Sequence, residues 1–124
     1  MPSTQIIGIV DDDEDLPAAL SSLVRSLGYG AECFSSASAL LARKDLDTFS
    51  CVISDIHMPV MDGIALAQKL GEIAADLPVI LMTGRNEEGL ERKAYAAGAI
   101  CFMPKPFSFD DLSRSLDKAL AAKG

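Results

Sequence analysis

Three carboxylates, one hydroxyl and one ammonium lie far apart in this sequence yet at equivalent places in it. Asp11 and Asp12 follow the run Ile6-Ile7-Gly8-Ile9-Val10, and Asp55 follows Cys51-Val52-Ile53-Ser54. Thr83 follows Val79-Ile80-Leu81-Met82, and Lys105 stands two residues beyond Cys101-Phe102-Met103. Crowded into one cleft, three carboxylates repel one another and require a cation. Hard oxygen ligands suit Mg²⁺, with Mn²⁺ as the alternative, because Mg²⁺ combines one or two carboxylates with waters and a phosphate oxygen. These five positions include no histidine or cysteine, which argues against zinc. A carboxylate beside such an ion can attack an electrophilic phosphorus. Asp55 is the expected nucleophile, Lys105 the fixed charge on the transferred group, and Thr83 a donor to one of its oxygens. Gly84 leaves the backbone free to approach.

The elements that must position these residues are legible as βα repeats. Apolar runs rich in Val and Ile with little alternation predict strands buried on both faces, over 5–10, 31–34, 51–55, 79–82 and 99–103. Helical spacing between them predicts helices over 15–27, 37–43, 64–73, 87–97 and 109–122. Pro17 suits the first turn of a helix and Gly28 its end, while Ser108 with Asp111 resembles a capping box. Such a chain forms an α/β domain with a parallel sheet. Ligands of open parallel sheets bind beyond the carboxyl ends of the strands, where all five polar residues would meet.

Length and composition bound the rest. With 124 residues, 49% of them hydrophobic, the chain is expected to form one domain over 1–124 with a real core. No apolar stretch approaches bilayer length, and Met1-Pro2-Ser3-Thr4 lacks the basic and hydrophobic regions of a secretory signal, so a cytoplasmic location without membrane attachment is expected. Cys33, Cys51 and Cys101 are odd in number and lack metal-ligand spacing, which points to buried reduced thiols. A formal charge of -7 with no basic tract speaks against direct nucleic-acid binding, although an attached domain could bind DNA.

Val10-Asp11-Asp12, Asp55-Ile56-His57-Met58-Pro59 with Asp62-Gly63, Met82-Thr83-Gly84 and Lys105-Pro106-Phe107 together resemble the receiver domains of two-component response regulators. The resemblance implies a (βα)5 flavodoxin-like fold, a doubly wound parallel sheet with strand order 2-1-3-4-5. It implies that Asp55 is the phosphorylation site, that Asp12 binds the metal directly and Asp11 through a water, and that the His57 carbonyl completes the protein's ligands. Thr83 and Phe102 match the family's switch pair, and the Lys105-Pro106 bond matches one that is usually cis. The implied partners are a sensor histidine kinase or phosphotransfer protein, and a phosphorylation-dependent second copy docked through the fourth helix, fifth strand and fifth helix. Catalysis would extend only to the domain's own phosphorylation and dephosphorylation. His57 and Arg85 flank the site and are expected to tune the loss of phosphate, and Phe102 replaces a common tyrosine, keeping the ring without its hydroxyl.

Other readings compete. The run from Asp11 to Asp15 could serve only as an acidic helix start, and Asp13 and Asp15 are expected to cap in any case. Phe102 alone could be plain core, and His57 alone a solvated loop residue. Leu90, Ala94 and Ala97 form one stripe, leaving Lys93 and Tyr95 outward, where an exposed tyrosine could mark a docking face. A metal-dependent hydrolase of the haloacid dehalogenase type would use Asp11 as nucleophile and Asp13 as acid/base. Against it stand Glu14-Asp15, where that family expects Thr or Val, and a chain too short for a substrate cap. A phosphorylation-independent scaffold is the third reading.

Overall fold

The computed structural model describes residues 5–85 and 87–122. Its five strands are β1 (Ile6–Val10), β2 (Gly30–Phe34), β3 (Phe49–Asp55), β4 (Val79–Thr83) and β5 (Cys101–Pro104), and its helices are α1 (Leu16–Ser26), α2 (Ala37–Leu41), α3 (Gly63–Ile73), α4 (Leu90–Ala96) and α5 (Phe109–Ala122). The strands are parallel, in the order β2-β1-β3-β4-β5. No helix among the described residues is long and apolar enough to cross a membrane.

Alternate residues of each strand feed two cores. Ile7, Ile9, Ile53, Ile80 and Met82 pack against Leu20 and Val24 of α1 and Leu112 and Leu116 of α5. Val10, Val52, Val79 and Leu81 pack against Leu40 of α2, Leu66 and Leu70 of α3, and Leu90 and Ala94 of α4. Both faces are therefore covered, as parallel sheets require. Every residue of β3 is buried.

Hydrogen bonds set the helix ends. In the capping box of α5, Asp111 N–H donates to Ser108 Oγ and Ser108 N–H to the Asp111 carboxylate, both at 3.0 Å. Asp13 Oδ1 accepts the N–H groups of Asp15 and Leu16 at the start of α1. Asp15 holds the N-cap position but makes no side-chain cap bond, which corrects half of the expected pair. Asp62 caps α3 by accepting the Ala65 N–H at 2.8 Å.

The departures from expectation have local causes. β3 begins two residues early because a register shift between Ile6 and Ile7 admits Ser50 as an extra residue, turning Phe49 and Cys51 to opposite cores. The Phe49 ring passes Gly8 and meets the Phe34 ring edge-on, with centroids 5.9 Å apart. Arg43 lies outside α2, covering both rings at 5.7 and 5.4 Å while its guanidinium pairs with Glu32 at 2.6 Å and Asp45 at 2.8 Å. α2 stops at Leu41, and a short 3-10 turn at Leu46–Thr48 leads into β3. α4 starts at Leu90 instead of residue 87, after Gly89 adopts a left-handed conformation. β5 starts at Cys101, two residues later than expected, and runs on to Pro104. Cys51 and Cys101 are buried as expected, whereas Cys33 is exposed because β2 is an edge strand.

Hydrogen bonds from Arg43 hold the Asp45 carboxyl below its ordinary value of 3.8, and the Ser108 N–H followed by Arg114 does the same for Asp111. Depressed carboxylates stabilise the fold above their unfolded value, and that contribution is lost as pH falls through the folded one. The urea midpoint should therefore fall between about pH 5 and about pH 2, and less steeply in Asp45→Asn and Asp111→Asn. Equal slopes in all three proteins would contradict this assignment.

Candidate functional site

Strand register brings the five polar residues together. Val10 lies beside Ser54, Asp55 beside Met82, and Thr83 beside Pro104, so the residues at or just past these strand ends share one edge of the sheet. Carboxylate oxygens of Asp11, Asp12 and Asp55 lie within 4.8 Å of one another, a cluster able to hold a metal ion. From the far side Lys105 Nζ reaches Asp55 Oδ1 at 3.1 Å and Asp11 Oδ2 at 3.6 Å. The Lys105 N–H also donates to the Thr83 carbonyl at 2.7 Å, tying the loop after β5 to the end of β4, and the Lys105-Pro106 peptide is cis.

Magnitudes decide what this pocket still needs. Unit charges 4.8 Å apart repel by roughly 3.5 kcal/mol at an effective dielectric near 20, and each Lys105 pair attracts by roughly 5 kcal/mol. Lysine thus offsets most of the mutual repulsion but leaves the burial of Asp11, which is 2% exposed. Its Oδ1 accepts the Asp13 N–H at 2.9 Å, while Oδ2 is buried without a hydrogen-bond partner among the described residues. Burial accordingly pushes the Asp11 carboxyl up from 3.8, against the pull of the Asp13 N–H and Lys105. A buried oxygen without a hydrogen bond, set among three carboxylates and met by lysine only at 3.6 Å, fits a divalent cation. Asp12 is exposed at the mouth, whereas Asp55 is buried.

Beside the carboxylates a hollow of about 380 Å³ is lined by Asp12, His57, Met58, Pro59, Asp62 and Arg85. His57 is only half-exposed, and its Nε2 is buried with no hydrogen-bond partner among the described residues, unlike the solvated loop residue expected on spacing alone. Thr83 is fully buried, and its hydroxyl is already engaged: Oγ1 donates to the Arg85 carbonyl at 3.0 Å and accepts the Arg85 N–H at 2.9 Å. Phe102 lies beside Leu81 in the ladder and packs half-buried against the core that contains Leu90 and Ala94. Thr83, two residues beyond Leu81, projects to that same face. Tyr95 is exposed on α4, as the helical spacing requires.

Two further residues stand out in and after the loop that follows β3. The Gly63 N–H donates to the Ile56 carbonyl at 2.8 Å, and a Cβ at Gly63 would collide with the Asp55 carbonyl oxygen and approach the Ile56 Cα to 2.9 Å. Val60, at the tip of the same loop, is fully exposed at φ 69, a strained conformation for a β-branched residue. Nothing in an isolated valine signals this. The Thr83-Arg85 ring of hydrogen bonds has a weak sequence signal, a threonine ending a strand before glycine.

A doubly wound parallel sheet with three aspartates facing a lysine at its carboxyl edge defines a flavodoxin-like α/β domain built around an acidic pocket. The family model for the response regulator receiver domain matches residues 7–117, and the chain belongs to that family. The response regulator protein TmoT of Ectopseudomonas mendocina is 43% identical over 115 residues, which cover 93% of this chain and 52% of TmoT. The chain thus spans about half the length of this relative. Among solved structures, the response regulator StyR superposes with a TM-score of 0.88 at 31% identity, over 98% of this chain and 61% of that one. The beryllofluoride-activated NtrC4 receiver domain dimer superposes with a TM-score of 0.83 at 26% identity, over 96% and 98%. This is a receiver domain of two-component signalling, a family of switches rather than of enzymes with external substrates.

Gly63→Ala should destabilise the domain by about 1–3 kcal/mol, since backbone rather than a flexible side chain must move. A urea midpoint equal to that of the wild type would show that the loop after β3 is not packed against Asp55 as described.

Proposed function

We propose that this domain accepts a phosphoryl group on Asp55 from a sensor histidine kinase or phosphotransfer protein and passes the signal on as a change of surface. The observation that carries this reading is the pairing of Asp55 with Lys105 at 3.1 Å beside a buried Asp11 oxygen that only the same lysine approaches, at 3.6 Å and without a hydrogen bond among the described residues. A carboxylate oxygen of Asp55 attacks the phosphorus, the bond from phosphorus to the donor's imidazole nitrogen breaks, and the imidazole leaves with the electron pair. Lys105 stabilises the negative charge on the transferred group. Asp11, Asp12, Asp55 and the His57 carbonyl would hold Mg²⁺ or Mn²⁺, which when bound supplies further positive charge at the phosphoryl oxygens.

Once Asp55 is phosphorylated, the Thr83 hydroxyl turns to a phosphoryl oxygen and vacates space toward which Phe102 rotates. The face of α4, β5 and α5 changes, offering a surface for a second copy of the chain or an attached output domain. A dimer of a similar activated receiver, that of NtrC4, supports the first alternative. Taking such a switch from 1:99 to 99:1 requires about 5.5 kcal/mol of differential stabilisation, so partner docking supplies part of the driving force. The domain catalyses only its own phosphorylation and dephosphorylation, and it makes no direct contact with nucleic acid.

Intact mass after incubation with Mg²⁺ and acetyl phosphate should show one phosphoryl adduct on the wild type and none on Asp55→Asn. Adducts on both proteins would place the acceptor elsewhere, and phosphate release persisting in Asp55→Asn would favour a hydrolase built on Asp11. His57→Ala combined with Arg85→Ala should open the mouth to water and speed loss of the adduct severalfold. An unchanged rate would remove both residues from that role.

A further inference from the structure

The acidic and apolar spacing over 87–97 favours a helix beginning at Glu87, yet α4 begins at Leu90. What holds 87–89 out is a short relay of hydrogen bonds. The Arg85 carbonyl accepts the Thr83 hydroxyl at 3.0 Å and also the Glu87 N–H at 3.0 Å, and the Glu87 carbonyl accepts the Leu90 N–H at 3.1 Å. The second of these joins groups two residues apart, where a helix would pair groups four residues apart. The segment ends at Gly89, with φ 81 and ψ -6, a conformation costly for other residue types. Around Gly89 there is open space, with nothing within 4 Å of an added Cβ.

A threonine hydroxyl has one proton. Thr83 can give it to the Arg85 carbonyl or to an oxygen carried on Asp55, but not to both. We propose that the Thr83 hydroxyl is a latch on α4: when it turns to Asp55, the Arg85 carbonyl is released and α4 winds back by about one turn to begin at Glu87. The inference rests on Asp55 being the phosphoryl acceptor. Winding places Glu87 and Glu88 at the positive end of the helix and sets Glu88 four residues before Arg92, both favourable. Glu87 opposite Glu91 works against it by a similar amount, so neither state is overwhelmingly preferred. The lengthened helix then carries its new turn on the same element as Tyr95, which gives the altered face a defined structural origin.

Backbone carbon chemical shifts of residues 87–90, recorded on the full chain with Mg²⁺ and acetyl phosphate, test this, with intact mass from the same sample giving phosphoryl occupancy. The phosphorylated wild type should show helical shifts at 87–89. Without phosphate, Thr83→Val should show them too, because it keeps the side-chain shape and deletes the latch. Gly89→Ala should raise the helical population about fivefold, since alanine favours the helix over glycine by that factor. Full phosphorylation with non-helical 87–89 would overturn the latch while leaving the acceptor reading intact. Absence of any adduct would count against the acceptor reading, and unchanged shifts in Thr83→Val would overturn the latch independently.

Discussion

The crowding of three carboxylates at the ends of β1 and β3, opposed by one lysine from beyond β5, is the constraint around which this domain is organised. Neither strand end could hold its charge alone: Asp11 is buried with one oxygen that accepts no hydrogen bond among the described residues and has Lys105 at 3.6 Å, and Asp55 is buried against the same lysine. Lys105 reaches across because its own N–H is fixed to the Thr83 carbonyl. The pocket is therefore closed by residues from four strands at once. Any change in its charge is felt across the carboxyl edge of the sheet.

That edge divides into a fixed part and an adjustable part. Below Asp55, β3 is buried throughout, and Gly63 brings the start of α3 against its end so closely that a methyl group has no room. On the other side, Thr83 ends β4 with a hydroxyl that donates to and accepts from the Arg85 backbone in the loop ahead of α4, a seven-residue helix. Rigid placement of Asp55 and an exchangeable donated hydrogen bond beside it are what the proposed two-state switch requires.

Much of this was legible in the sequence because the strands are apolar runs whose ends carry polar residues, a pattern that only a parallel sheet gathers into one place. Asp11, Asp12, Asp55, Thr83 and Lys105 meet as their positions require. The Ser108 box holds because its bonds are local. What escaped was set by tertiary contacts. Arg43 belongs to the helical period of α2, yet two aromatic rings and two carboxylates draw it out of that helix. Cys33 lies in a strand like the other cysteines, and only its edge position exposes it. The late start of α4 depends on Thr83, Arg85 and Gly89 acting together, which no periodicity encodes.

We propose that Asp55, a cation held by its acidic neighbours, and Lys105 together form a phosphoryl-binding pocket. Fluorine NMR of beryllofluoride, a mimic of the phosphoryl group, tests it directly. Bound fluoride resonances should appear with the wild type only when Mg²⁺ is present, and should be absent in Asp55→Asn. Resonances that persist in Asp55→Asn, or that form without a divalent cation, would contradict the claim.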